Sequence, residues 1–281
     1  KEILPYHKKW ETEGIVSKEL WLKAGQAGLL CPNVPQNYGG IGGDFRFNII
    51  IIEELAKAGA TGPGFAVHSD IVAPYIINYC SEKQKKYYLP KMISGEIITA
   101  IAMTEPGTGS DLQNIKTKAT ISTDTVTLNG SKTFITNGQN ANLVLVVAKT
   151  DTSQKAKGIS IILCEENNKG FKRGKNLEKI GMKAQDTSEL YFEEVVLPKE
   201  NILGNAGQGF SQLMDELPQE RLSIAVTAIS AAEAALNWTI AYVKERTAFD
   251  KKIIEFQNTK FTLAKLKADI TVGRAFIDRC I

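Results

Sequence analysis

The chain has 281 residues, 43% of them hydrophobic and 23% charged, which is typical of a globular protein with one large or two modest domains. Its 34 basic and 31 acidic residues give a net charge of +3, a balance that indicates neither nucleic-acid nor membrane binding. The four cysteines are scattered without a CxxC spacing and there are two histidines, which argues against a metal site and favours free thiols. No signal peptide and no apolar run long enough to cross a bilayer is evident. Because the chain starts at Lys1 and ends inside a helical pattern, we expect a segment of a longer protein.

The first part of the chain, residues 1–96, has the patterning of a helical domain. Ser17 and Ser81 stand where helix N-caps are expected, and the second of these helices has a lysine-rich outer face. Between them, residues 47–58 carry apolar side chains on one side and glutamates on the other, which favours a helix over a strand. His68 lies in an apolar setting without a partner at metal-ligand spacing, so we expect a core or cleft histidine.

Residues 97–204 change to a hydrophobic period of about two, which predicts a central β-domain built as a sandwich or barrel. Alternation along Thr187–Pro198 predicts a strand that the proline helps to end. The pair Asn129-Gly130 lies between β-forming residues and predicts a hairpin turn. No Rossmann fingerprint is present, so the sequence does not favour a nicotinamide dinucleotide.

Helical spacing returns in residues 205–281. Apolar positions from Leu222 to Val243 predict a long, alanine-rich helix suited to packing against another helix, and a second helix is expected from Thr262 to Ile281. Helices, then strands, then helices define an α+β fold class. We expect an N-terminal helical domain (1–96), a central β-domain (97–204) and a C-terminal helical bundle that is truncated here.

The stretch Thr104–Asp111 follows an apolar run and allows two interpretations. It is either an ordinary turn, because Pro, Gly, Ser and Asp are the usual turn formers, or a loop that binds a ligand. Pro106 fixes φ and lacks an N–H group, whereas Gly107 and Gly109 permit positive φ and let a ligand approach the backbone. Free N–H groups and hydroxyls would then suit a ring edge with several acceptors, or a phosphate.

Three later stretches also allow more than one interpretation. Considered alone, Phe134 in the sequence FITNG is typical of a core aromatic before a turn. Glu220 is either a charge in a first helical turn, free to pair with Arg221, or a desolvated carboxylate whose raised pKa suits a general base. The segment Lys244–Phe261 is either a solvated basic turn between helices or a phosphate contact made by Arg246.

Together these segments resemble the acyl-CoA dehydrogenase family. AMTEPGTGSD at residues 102–111 is similar to the loop that opens the family's middle domain and holds the flavin ring, and FITNG at residues 134–138 is similar to a strand end beside that ring. ERTAFDKKIIEFQ at residues 245–257 resembles a segment that reaches the phosphates of the flavin dinucleotide across a subunit contact, although Asp250 replaces the usual glycine. LPQERL at residues 217–222 is similar to the long-chain branch, in which the catalytic base comes from this helix. The segments occur in the expected order over essentially the whole chain.

The resemblance implies roles for particular residues. Glu220 is the implied base, which removes the α-proton of the substrate. The implied contacts to FAD are Ile101, Ala102, Met103, Thr104, Gly109, Ser110, Phe134, Ile135, Thr136, Arg246 and Gln257. The implied contacts to the substrate are Ser110, Lys149, Thr150, Ser211, Pro218, Gln219 and Arg221.

The resemblance also implies an activity and partners. The activity is FAD-dependent α,β-dehydrogenation of fatty acyl-CoA thioesters to trans-2-enoyl-CoA in fatty acid β-oxidation. Electrons would pass to an electron-transferring flavoprotein, and the assembly would be a homotetramer without nucleic acid or membrane insertion. Two alternative functions remain open: an acyl-CoA oxidase, and a catalytically silent subunit that binds flavin or acyl-CoA. A bacterial cytoplasm and a mitochondrial matrix both fit the sequence.

Overall fold

Helices precede and follow a central sheet in the computed structural model, which describes residues 1–281. This order confirms the predicted α+β fold class. The helices are α1 (Leu4–Glu13), α2 (Lys18–Gln26), α3 (Phe45–Lys57), α4 (Ala73–Tyr79), α5 (Glu82–Ser94), α6 (Gly209–Glu245) and α7 (Gln257–Cys280). The strands are β1 (Thr99–Ala102), β2 (Lys118–Ile121), β3 (Thr125–Thr136), β4 (Leu143–Lys149), β5 (Ile159–Glu165), β6 (Phe171–Asn176), β7 (Thr187–Pro198), β8 (Thr247–Ala248) and β9 (Lys251–Lys252). The domain division at residues 1–96, 97–204 and 205–281 stays a prediction.

The strands β1 to β7 form one curled seven-stranded sheet rather than the two separate sheets of a sandwich. Its strand order is β1-β4-β2-β3-β7-β6, and β5 pairs with β4. Along β4, Leu145 packs in a cluster with residues of α4 and α5, whereas Val144 and Val146 pack inside the curl of the sheet. Both faces of β4 are therefore buried, which explains why its sequence is a continuous apolar run.

The predicted hairpin turn at Asn129-Gly130 is wrong, because β3 runs through both residues without a break. Gly130 has a φ of 150° and lies where the pairing of β3 with β7 changes register. A Cβ at this position would come within 2.5 Å of the Thr117 hydroxyl oxygen. Glycine at this position therefore permits a β-bulge and the close approach of Thr117, and it does not form a turn. The chain reverses earlier, where the Ser122 N–H donates to the Thr125 carbonyl over 2.9 Å.

The helix N-termini match the predicted caps in part. Ser81 forms a complete capping box with Gln84 at the start of α5. Ser17 precedes α2 as expected, but its side chain makes no capping hydrogen bond. The sequence did not single out Asp44, which caps α3 by accepting a hydrogen bond from the Arg46 N–H over 3.0 Å.

A π-helical turn, Val67–Val72, leads directly into α4. Within it, the buried His68 donates from Nε2 to the Met92 carbonyl over 3.0 Å and accepts at Nδ1 from the Thr99 N–H over 3.2 Å. Burial lowers the pKa of this imidazole to about 4, so it is neutral at physiological pH. The prediction of a core histidine is confirmed, and the side chain ties the π-helical turn to α5 and β1.

The long helix α6 packs against α3, α7 and β5 and so connects the helical parts with the sheet. Arg274 on α7 reinforces this packing through salt bridges to Glu53 on α3 (2.6 Å) and Glu233 on α6 (2.7 Å). Helix α7 begins at Gln257, five residues before the predicted start at Thr262. By length and composition α6 could cross a membrane, contrary to the sequence-based expectation that no apolar run is long enough. Core helices of soluble proteins meet the same criterion, so one such helix is weak evidence for a membrane span.

Candidate active site

The centre of the candidate site is a buried carboxylate on α6. Glu220 is 6% exposed and lies well inside the helix, which begins at Gly209. The interpretation of Glu220 as a first-turn charge is therefore wrong. The Tyr75 hydroxyl on α4 donates to Glu220 Oε1 over 2.8 Å. Burial raises the pKa of the Glu220 carboxyl, and the Tyr75 hydrogen bond and the charge of Arg221 oppose this increase only in part.

An apolar cleft of about 420 Å³ lies beside this part of α6. Ile224 and Thr227 line it and follow Glu220 by four and seven residues, which places all three side chains on one face of the helix. The apolar wall is formed by Ile51, Ile52, Leu55, Ala56, Phe65, Ala66, Val67, Ile224, Ala231 and Trp238.

Asp70 is the only charged side chain that lines this cleft. It is 3% exposed, and Asn48 Nδ2 donates to its Oδ1. Burial raises the pKa of the Asp70 carboxyl to about 7 against the opposing effect of that hydrogen bond. The Asp70 carbonyl oxygen accepts from Gln219 Nε2 over 3.1 Å, so the backbone beside this acid contacts the residue next to Glu220.

The loop Thr104–Asp111 is fixed to the sheet by a buried ion pair. Lys132 on β3 is fully buried and donates both to Glu105 Oε1 and to the Met103 carbonyl, each over 2.9 Å. Burial lowers the pKa of Lys132 to about 8, although the Glu105 carboxylate opposes the decrease. The sequence did not predict this ion pair. Its only sign in the sequence is a lysine within a β-forming stretch.

The same loop lies directly beside Phe134. The Thr133 N–H donates to the Thr104 carbonyl over 2.9 Å, which joins the loop to the strand residue before Phe134. Phe134 has a φ of 58° and its side chain is 66% exposed. A left-handed backbone at an aromatic residue is uncommon and costs about 1–3 kcal/mol, and such positions cluster at binding sites. Phe134 is therefore an outward-facing aromatic surface rather than a core residue.

Gly107 and Gly109 permit a positive φ, but neither glycine adopts one. A Cβ added to either glycine would meet no atom within 4 Å. Neither backbone conformation nor packing within the chain thus requires glycine at these positions. The open space above the two residues is what a closely approaching ligand would need.

Four of the other predicted contacts to the cofactor fall into two groups. Ala102 and Ile135 are buried, so only their backbone groups are available, and β1 leaves one side of its backbone without a strand partner. Arg246 follows α6 at its C-terminal end, 26 residues from Glu220, and at about 1.5 Å per residue the two are about 39 Å apart along the helix. Gln257 lies nearby at the start of α7. The structure does not bring this second group to Glu220 within one chain.

The predicted substrate contacts also separate into groups. Gln219 adjoins Glu220, and Pro218 and Arg221 are exposed on α6. Thr150 lies near the start of α6, because its hydroxyl is 2.7 Å from Ser160 Oγ, which accepts from the Gly207 N–H over 2.8 Å. Ser110 and Ser211 are exposed, and Lys149 is half-buried.

Asp250 lies in the tight turn between β8 and β9. Phe249 and Asp250 both have left-handed backbones, with φ of 53° and 60°, as expected for a two-residue type I′ hairpin turn. Aspartate tolerates this conformation better than most residues. The replacement of the usual glycine is therefore compatible with the turn.

These features define a class of protein in which a helical layer, a curled sheet and a long helix together present a buried carboxylate beside an apolar cleft. Comparison with known families identifies the class. Residues 1–96 match the acyl-CoA dehydrogenase N-terminal domain, residues 100–195 the middle domain and residues 207–281 the C-terminal domain. The chain belongs to the acyl-CoA dehydrogenase family.

Individual relatives agree with this assignment. Long-chain specific acyl-CoA dehydrogenase from Sus scrofa mitochondria is 52% identical over 282 residues, which is 100% of this chain and 66% of that protein. The crystal structure of an acyl-CoA dehydrogenase from Geobacillus kaustophilus superposes with a TM-score of 0.97 at 48% identity, covering 99% of this chain and 74% of that one. A structure described as the electron transferring flavoprotein of Acidaminococcus fermentans matches with a TM-score of 0.93 at 35% identity, covering 99% and 74%. The chain thus spans slightly less than two thirds of the Sus scrofa protein.

Members of this family are FAD-dependent flavoproteins. The residues present here fit such a cofactor, because the space above Gly107 and Gly109 is open and Phe134 offers an exposed aromatic face next to the loop. Planar rings stack favourably on aromatic side chains.

Proposed function

We propose that this chain is part of an enzyme that converts fatty acyl-CoA thioesters to trans-2-enoyl-CoA with FAD, in fatty acid β-oxidation. Glu220 is the base that removes the α-proton. The observation that supports this assignment is a carboxylate 6% exposed beside an apolar cleft, with one oxygen held by Tyr75. In this proposal the chain has the three domains 1–96, 97–204 and 205–281.

Glu220 suits proton abstraction from a weak carbon acid. A base is most effective when its pKa lies near the working pH, and burial raises the pKa of this carboxyl toward that range. When bound beside the loop Thr104–Asp111 and Phe134, FAD would supply the acceptor for the β-hydrogen, which leaves as hydride. The protein supplies orientation and a site from which water is excluded.

The apolar cleft is the proposed site of the acyl chain. Its volume of about 420 Å³ is within the range of small-molecule pockets, and its wall is mostly apolar. Each methylene that leaves water contributes about 0.8 kcal/mol, so such a cleft would bind an aliphatic chain without specific polar contacts. Ile224 and Thr227 share a helix face with Glu220, which does not itself line the cleft, so a chain in the cleft would extend along α6 from the base.

The remaining parts of the proposal concern the assembly. We assign Arg246 and Gln257 to FAD bound mainly by a neighbouring subunit of a homotetramer, because about 39 Å along α6 separates Arg246 from Glu220. An electron-transferring flavoprotein is the proposed electron acceptor. Mitochondrial and bacterial relatives both occur, which supports either a mitochondrial matrix or a bacterial cytoplasm.

The first prediction is that Glu220→Gln keeps FAD but loses flavin reduction by substrate. Glutamine has nearly the same shape and cannot take up the α-proton. The full-length protein would be titrated anaerobically with acyl-CoA thioesters of increasing chain length while the visible flavin spectrum is recorded. Wild type should bleach, and Glu220→Gln should bleach at least about 10²-fold more slowly.

Glu216→Gln provides the matched control, because Glu216 lies one helical turn before Glu220, is 9% exposed and accepts a hydrogen bond from Asn78 instead. This variant should still be reduced. Full reduction of Glu220→Gln would remove Glu220 from its role, and a wild-type flavin that stays oxidised with every acyl-CoA would refute the proposed activity. Oxygen consumption during turnover would assign the chain to the oxidases.

A further inference from the structure

A second buried side chain, that of Tyr75, makes a hydrogen bond to Glu220. Tyr75 is completely buried in the cluster formed by α4, α5 and β4. Its hydroxyl donates to Glu220 Oε1 over 2.8 Å, whereas Glu220 Oε2 has no hydrogen-bond partner in the chain. The two residues are 145 positions apart in sequence. One carboxylate oxygen is therefore fixed and the other is available.

The ionisable groups around this pair are few. On α6, Glu216 raises the pKa of the Glu220 carboxyl through its charge and Arg221 lowers it. On α4, Tyr79 interacts with Glu216 rather than with Glu220. The π-helical turn contributes Asp70, which faces Asn48. Tyr75 is thus the only side chain that donates a hydrogen bond directly to Glu220.

We propose that Tyr75 is a positioning residue for the proposed base: its hydroxyl holds one oxygen of Glu220 and leaves the other to accept the α-proton of the acyl-CoA. This inference rests on the proposed function. The Tyr75 hydroxyl does not itself exchange a proton with the substrate. It restricts the rotation of the carboxylate, so that the free oxygen keeps a single orientation. It also stabilises the charged form of Glu220, which must be present before proton transfer.

The proposal predicts a specific effect of Tyr75→Phe. Loss of a hydroxyl that donates to the carboxylate favours the protonated acid, so the pH midpoint of the reductive half-reaction should move upward by about 1–2 pH units. The limiting rate above this midpoint should also fall about tenfold or more, because the carboxylate is no longer oriented. The KM for acyl-CoA should change little, since Tyr75 does not line the cleft.

The test is stopped-flow reduction of the full-length holoenzyme by lauroyl-CoA under anaerobic conditions, between about pH 5 and pH 9. Tyr88→Phe is the matched control, because Tyr88 on α5 is also buried and donates over 2.8 Å to a different carboxylate, Glu165 on β5. It should leave the midpoint unchanged. Flavin content and far-UV circular dichroism establish that each variant is folded.

Replacement of Tyr75 by 3-fluorotyrosine keeps the shape of the side chain and makes the hydroxyl a stronger donor. It should move the midpoint downward, and it keeps the proposal testable if Tyr75→Phe does not fold. An unchanged midpoint in a folded, flavin-loaded Tyr75→Phe variant, or no downward movement with 3-fluorotyrosine, would overturn the inference. A wild-type flavin that lauroyl-CoA and other acyl-CoA thioesters fail to reduce at any pH would instead overturn the proposed function.

Discussion

The buried acid in the cleft, Asp70, gives a prediction whose sign and size follow from its environment. Burial raises the pKa of this carboxyl from its ordinary value of 3.8 to about 7 in the folded protein. A raised folded-state pKa means that the stability associated with this group is present below the unfolded pKa and is lost as pH rises toward the folded pKa. Each pH unit between the two values costs about 1.4 kcal/mol, so the total above neutral pH is on the order of 4 kcal/mol.

Asp70→Asn removes this titration and retains an oxygen that can accept from Asn48 Nδ2. Its stability relative to wild type should increase by about 2–3 kcal/mol between pH 5 and pH 7 and then stay constant. The free energy of unfolding would be measured by urea denaturation of the full-length protein at each pH, with circular dichroism and the same excess of FAD.

Asp151→Asn is the control, because Asp151 is exposed and bonds to Ser153 near the surface. Its relative stability should not increase between pH 5 and pH 7. A difference between Asp70→Asn and wild type that does not depend on pH would show that Asp70 is not a desolvated acid.

Two further predictions concern the loop Thr104–Asp111 and the cleft. Gly109→Ala should keep or slightly improve stability, by up to about 1 kcal/mol, because its φ is not left-handed and the new methyl meets no atom of the chain. It should weaken FAD binding, measured by fluorescence titration of the apoprotein, and unchanged affinity would mean that no ligand occupies this space. Ala231→Phe should move the chain-length preference of flavin reduction toward shorter acyl-CoA, because Ala231 lines the cleft, whereas Ala235→Phe, outside it on the same helix, should not. Equal chain-length profiles for both variants would place the acyl chain elsewhere.

Local patterns predicted much of the fold. Thr187–Pro198 alternates in hydrophobicity and is bounded by proline, and β7 has these limits. Ser81 caps α5 because its hydroxyl accepts from the Gln84 N–H while the Gln84 side chain accepts from the Ser81 N–H, which satisfies two backbone groups within one turn of chain. Such features depend on neighbours in sequence, which a single chain displays directly.

Other features depended on partners distant in sequence. The dipeptide Asn129-Gly130 has the composition of a turn, yet the need for glycine comes from Thr117, which approaches within 2.5 Å of the position of a Cβ. The desolvation of Glu220 was one of two interpretations in the sequence, whereas its bond to Tyr75 was not predictable, since nothing local connects α4 with α6. The buried pair of Lys132 and Glu105 was not predictable for the same reason, since the two residues are 27 positions apart in sequence.

The π-helical turn before α4 sets the rotational phase of the helix that follows it. In a regular α-helix each residue rotates by about 100°, whereas the wider π-helical turn rotates less per residue. The angle between Asp70, in the turn, and Tyr75, just beyond it, therefore includes an offset that a continuous α-helix would lack. His68 holds this turn to β1 and α5. The angular relation between Asp70 and the tyrosine bonded to Glu220 is thus decided by the backbone geometry of this turn, which is held in place by a histidine that does not line the cleft.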